Sequence, residues 1–107
     1  MIYNNIIETI GRTPLVKINS TKKGMAEILV KIEGFNPGGS IKDRPALYMI
    51  KDAINRGVLK QGDTIIEATS GNMGIGISMI GASMGFKVII VMPDTMSMER
   101  RRIMSAY

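Results

Sequence analysis

The apolar positions change their period several times along the 107 residues, and each change marks an element. Residues 15–18 form a short branched run after the turn at Gly11–Pro14, and residues 28–32 form a second; both predict strands. The segment Gly34-Phe35-Asn36-Pro37-Gly38-Gly39 is dense in turn formers and predicts a loop. A helix follows, because Ala46, Met49, Ile50, Ala53 and Ile54 repeat as one buried face, and Gly57 ends it. Its start has two readings. Ser40 with Asp43 three residues later resembles a capping box. Asp43 as N-cap is preferred, because it leaves Pro45 in the first turn, where its missing N–H costs little.

The second half alternates. Residues 64–68 predict a strand, and residues 73–84 a helix that is apolar nearly all round and therefore buried. Residues 88–92 predict a continuous apolar strand closed by Pro93, and residues 97–107 a last helix. Strand, helix and strand with short connections imply a parallel pair with a right-handed crossover, hence an α/β fold. The last helical pattern runs to Tyr107 with no Gly, Asn or Pro to cap it, so the chain reads as cut short.

Composition narrows the chemistry. With 45% hydrophobic residues, a core is possible and disorder is not expected. Cys and His are both absent, which removes Ser/His/Asp and Cys/His catalysis, zinc fingers and disulfide frameworks. No carboxylate cluster suggests a metal. The net charge of +5 raises the question of nucleic acid, but the basic residues are scattered apart from Arg100-Arg101-Arg102, and only 5% of residues are aromatic. No nucleic-acid partner is expected. No apolar run is long enough for a membrane helix, and no signal-peptide pattern opens the chain, so the expected location is cytoplasmic.

Two motifs carry candidate chemistry. In Asn36-Pro37-Gly38-Gly39-Ser40-Ile41-Lys42-Asp43-Arg44, a glycine-bearing loop enters a helix with a lysine at the junction. The positive end of a helix favours the neutral amine that a Schiff base requires. An ordinary surface lysine beside a capped turn has the same residue types. The second motif is Glu67-Ala68-Thr69-Ser70-Gly71-Asn72-Met73-Gly74-Ile75-Gly76, at the C-terminal end of a predicted parallel strand, where open α/β sheets bind ligands. Its hydroxyls, amide and first-turn N–H groups suit a carboxylate or phosphate. The glycines are spaced G-x-x-G-x-G, so the dinucleotide fingerprint fails. Gly74 and Gly76 also suit close approach of the helix to the sheet.

In this order the motifs resemble the cysteine synthase (O-acetylserine sulfhydrylase) family of fold type II pyridoxal-phosphate (PLP) enzymes. The resemblance runs through Ile10-Gly11-Arg12-Thr13-Pro14-Leu15-Val16, Asn36 to Arg44, Thr69 to Gly74, and Met92-Pro93-Asp94-Thr95-Met96-Ser97 with Glu99-Arg100-Arg101. It implies a three-layer, tryptophan synthase β-like architecture, of which residues 1–107 are an N-terminal portion. It implies that Lys42 holds pyridoxal 5'-phosphate as a Schiff base and acts as the catalytic base. It implies that Asn72 contacts the cofactor's ring hydroxyl oxygen, and that Thr69, Ser70, Gly71, Asn72 and Met73 grip the substrate carboxylate. No metal is expected. The implied reaction is β-replacement, forming L-cysteine from O-acetylserine and sulfide. Sister activities that share both motifs are cystathionine or lanthionine synthesis and cysteine desulfhydration; a rival of another class is a non-catalytic fragment that acts by association. A homodimer and a serine acetyltransferase partner are implied for the longer protein. The family's phosphate loop and its partner for the pyridine nitrogen lie beyond the part resembled, so the short chain is expected to be inactive. The family usually has Thr where this chain has Met73, and a helix former where it has Pro45.

Overall fold

The structure, a computed structural model, describes residues 1–19, 22–69 and 71–107. After a 3-10 turn at Ile6–Thr9 come β1 (Leu15–Lys17), β2 (Leu29–Lys31), a second 3-10 turn at Glu33–Phe35, α1 (Asp43–Asn55), β3 (Thr64–Ala68), α2 (Asn72–Ser83), β4 (Lys87–Val91) and α3 (Met98–Ala106). β3 and β4 pair in parallel from Thr64↔Lys87 to Ala68↔Val91, with α2 as the crossover. That pair meets the α/β expectation. β1 and β2 form a separate antiparallel pair, Leu15↔Lys31 to Lys17↔Leu29, outside the parallel arrangement.

The core lies where α1, α2 and the approach to β4 meet, and it contains Ala46, Leu47, Ile50, Ile77, Met79, Ile80 and Phe86. α2 is buried continuously from Gly74 to Gly81, as its all-round apolar character predicts. Gly76 permits a close contact with α1: a Cβ there would lie 3.2 Å from Ala46 Cβ and 3.4 Å from the Lys42 carbonyl oxygen. Gly74 faces Thr69 and Met104. These two glycines therefore admit α1, Thr69 and α3 against α2, rather than α2 against the sheet.

Three expectations need correction. Asp43 is not the N-cap of α1. Lys42 occupies that position with helical φ −68° and ψ −18° and no side-chain cap, because the Asp43 carboxylate turns back to the loop instead. The buried face of α1 contains Leu47, while Met49 and Ile54 are exposed, since α2 covers a narrower stripe than the apolar repeat offered. The strand expected over residues 88–92 is β4 at Lys87–Val91, one residue earlier, and its burial alternates, leaving Ile89 and Val91 exposed beside Ile66 of β3. Gly57 does close α1. It has φ +70°, its N–H bonds to Ile54 O, and the Val58 N–H bonds to Ala53 O, a Schellman arrangement.

The radius of gyration is 16.9 Å, against about 13 Å for a compact chain of this length. The excess fits the open β1–β2 pair, whose apolar Leu15, Val16 and Leu29 are exposed.

Candidate active site

The lysine loop is closed largely by its own atoms. The Gly39 N–H donates to Asn36 O at 2.8 Å, the Lys42 N–H to Ser40 Oγ at 3.1 Å and the Arg44 N–H to Ile41 O at 3.2 Å. The Gly38 N–H donates to Asp43 Oδ2 at 2.6 Å. Gly38 has to be glycine for this contact, because a Cβ would stand 2.2 Å from Asp43 Oδ1. Asp43 is fully buried, and among the described residues its Oδ1 has no hydrogen-bond partner. Burial raises its pKa above the ordinary carboxylate value, opposed by the Gly38 N–H.

Both flanks of the loop are tied to Glu33. Arg44 clasps it in bidentate fashion, Nε to Oε2 at 2.7 Å and Nη2 to Oε1 at 3.0 Å. Thr13 Oγ1 donates to Glu33 Oε1 and accepts from Arg44 Nη2 at 3.1 Å. Buried Asn36 donates Nδ2 to Glu33 O at 2.9 Å and to Oε2 at 3.0 Å, while its Oδ1 accepts the Gly11 N–H at 2.8 Å. The Arg44 hydrogen bond, then those from Thr13 and Asn36, lower the Glu33 pKa from 4.5 to about 2, against desolvation. Residue patterning gave no sign of this network. Gly11, Thr13, Asn36 and Arg44 all fall inside the recognised motifs, but Glu33 does not, and the partners are joined only by folding.

The second loop continues β3. The Thr69 N–H donates to Val91 O at 3.0 Å, and Thr69 Oγ1 accepts the Gly71 N–H at 3.3 Å. Ser70 lies outside the described residues. Asn72 is the first residue of α2 and is exposed; the Gly74 N–H donates to Gly71 O at 3.1 Å, while the Asn72 and Met73 N–H groups precede the first intrahelical bond. Met73 is half-buried and packs against the core, so its side chain is used in packing.

The two motifs meet through α2. The Lys42 backbone packs on Gly76, and Asn72 stands one turn ahead of Gly76 on the same helical face, about 5–6 Å away. The Lys42 side chain is exposed, and among the described residues no hydrogen bond or ion pair engages its amine. A cleft of about 470 Å³ opens beside Asn72, lined also by Thr95, Ser97, Arg100 and Ile103. Lys42 does not line it.

The sequence profile described as pyridoxal-phosphate dependent enzyme matches residues 6–107. The chain belongs to that family. It is 56% identical over all 107 residues to a cysteine synthase from a Flavobacterium species, covering 35% of that protein. It is 49% identical to the O-ureido-L-serine synthase of Streptomyces lavendulae, with 99% of this chain and 33% of that protein covered. A solved hydrogen sulfide-producing enzyme from Fusobacterium nucleatum superposes with a TM-score of 0.93 at 54% identity, over 100% of this chain and 35% of that one. The chain thus spans about a third of the length of the relatives it matches, and the fold is that of a fold type II PLP enzyme. The residues fit the family's cofactor in one respect that the geometry decides: an aldehyde reaches the exposed Lys42 amine without displacing a partner.

Proposed function

We propose that residues 1–107 are the lysine-bearing N-terminal portion of a cytoplasmic PLP-dependent enzyme that forms L-cysteine from O-acetylserine and sulfide. One observation supports this most: the Lys42 backbone at the start of α1 lies against Gly76 of α2, one turn beyond Asn72, which opens α2 just after β3. The cysteine synthases among the relatives support the choice of reaction. Bound pyridoxal phosphate supplies an electron sink for charge developing at the substrate's α-carbon.

The chain's own residues supply attachment, orientation and proton transfer. Lys42 Nζ would hold the cofactor through its aldehyde carbon and would take the substrate's α-proton, returning it to the α-carbon after acetate has left the β-carbon and hydrosulfide has added there. The Asn72 amide orients the ring through its hydroxyl oxygen. Thr69, Ser70, Gly71, Asn72 and Met73 hold the substrate carboxylate, with Met73 contributing its backbone N–H because its side chain packs inward. The activity belongs to the longer protein, in which a homodimer and a serine acetyltransferase partner agree with the resemblance. The short chain alone is expected not to turn over, since it spans about a third of its relatives.

Two findings speak for a sister activity as the second reading: Met73 in place of the hydroxyl that the resemblance implies, and relatives named for O-ureido-L-serine and hydrogen sulfide. Borohydride reduction in the presence of pyridoxal phosphate, followed by peptide mapping, tests the central assignment. Label on Lys42 is the expected result; label concentrated on Lys51 or Lys60 overturns it. Product analysis with O-acetylserine and sulfide separates cysteine formation from the sister reactions.

A further inference from the structure

We propose that Glu33, Arg44 and Thr13 are positioning residues for Lys42, an inference that rests on Lys42 being the cofactor lysine. Lys42 lies between two anchors on one carboxylate. Asn36, six residues before it, bonds to both the backbone and the side chain of Glu33. Arg44, two residues after it, grips the same side chain through two nitrogens. Thr13 bridges the pair from the segment before β1, and Gly11 ties that segment to Asn36.

An exposed ion pair contributes little by itself. Here four donor atoms from three segments converge on one carboxylate that is only 17% exposed, with the forked geometry that makes arginine–carboxylate pairs directional. The clasp is built of polar and charged groups, with Thr13 buried and Glu33 and Arg44 partly buried. What it closes is the segment from Asn36 to Arg44, with Lys42 inside. Fixing both ends of a short loop restricts the directions in which the lysine side chain leaves the backbone, and orientation is where binding groups gain reactivity.

The same arrangement would also arise if the clasp merely held β1 and β2 to the body of the molecule. The two roles differ in what a mild lesion does. Arg44→Lys keeps the charge but loses the fork, and Thr13→Val keeps the shape but loses the bridge. In the cofactor-free chain, amide hydrogen exchange at Gly39, Lys42 and Arg44 is expected to accelerate roughly tenfold in either variant. Exchange at Met79 and Ile80 in the core should stay unchanged.

With pyridoxal phosphate and cyanoborohydride, the share of label on Lys42 relative to the other lysines is expected to fall in the same variants. Unaltered loop exchange with an unaltered Lys42 share overturns the proposal. Equal acceleration in loop and core also overturns it, because that is the mark of a structural tie alone. If the unmodified chain is not labelled at Lys42, the cofactor assignment fails instead, and the exchange data still decide whether the clasp orders the loop. Thr13→Val removes no charge, so it keeps the test available should Arg44→Lys fail to fold.

Discussion

The two glycine-bearing loops each deliver a chain into a helix, yet they treat their hydrogen-bonding groups in opposite ways. The loop from Asn36 to Lys42 uses its donors internally, on Asn36 O, Ser40 Oγ and Asp43 Oδ2, and then ties both flanks to Glu33. Among the described residues, the loop around Gly71 bonds its Gly71 N–H to Thr69 Oγ1 and its Gly71 O to the Gly74 N–H, and leaves the Asn72 and Met73 N–H groups ahead of the first intrahelical bond of α2. A loop that satisfies itself holds a side chain in place, whereas a loop with spare donors can receive an anion.

The largest contrast should come from alanine. Gly38→Ala puts a methyl group on the buried Asp43 carboxylate, and Asp43 Oδ2 then loses its one hydrogen bond. A cost of about 2–4 kcal/mol is expected, and thermal unfolding followed by circular dichroism should show a fall of about 10 °C or more. Gly71→Ala, by contrast, meets nothing nearer than Arg100 Nη1 at 4.0 Å and has an extended φ of −149°. Its stability change should stay within about 0.5 kcal/mol. Equal losses in the two variants would erase the distinction between the loops.

Acid should loosen the lysine loop through Glu33. Its pKa falls from 4.5 to about 2 on folding, so its contribution is fully present above pH 4.5 and disappears as pH drops toward 2. Asp43 has the opposite sign. Its raised pKa means that burial favours the protonated form, so its contribution is present in acid and declines as pH rises above 3.8. Glu33→Gln should therefore show a smaller drop in urea midpoint between pH 6 and pH 3 than the unmodified chain. An identical drop would mean that Glu33 does not set the acid limb.

A smaller effect than at Gly38 is expected at Met73. Met73→Thr exchanges packing against the core for a hydroxyl, a loss of about 1 kcal/mol in denaturant unfolding. In the longer protein, spectral titration with an amino-acid substrate should show tighter binding if the hydroxyl reaches the carboxylate. Weaker binding would mark Met73 as a specificity feature.

Where a local pattern decides an element, the sequence was readable. β3 matches residue for residue, and the burial of α2 follows from its lack of a polar face. The positive φ of Gly57 follows from its place after the apolar repeat. What could not be read depends on which partner arrives. Met49 and Ile54 have the right period but stay exposed, and the apolar run of β4 does not reveal that one of its faces is uncovered. Asp43 had two possible uses, capping its own helix or bonding Gly38, and only the folded loop decides between them. The closeness of Lys42 to the first turns of α2 depends on the crossing of α1 and α2 at Gly76, which leaves no mark on either motif alone.

The clasp has a kinetic side. Its bonds join positions 11, 20, 25 and 31 residues apart, all within the first 44 residues of the chain. Closing loops of that size differs in entropic cost by less than about 1 kcal/mol, and contacts of short range form early. The bonds that close the segment around Lys42 therefore draw on no residue of the later strands.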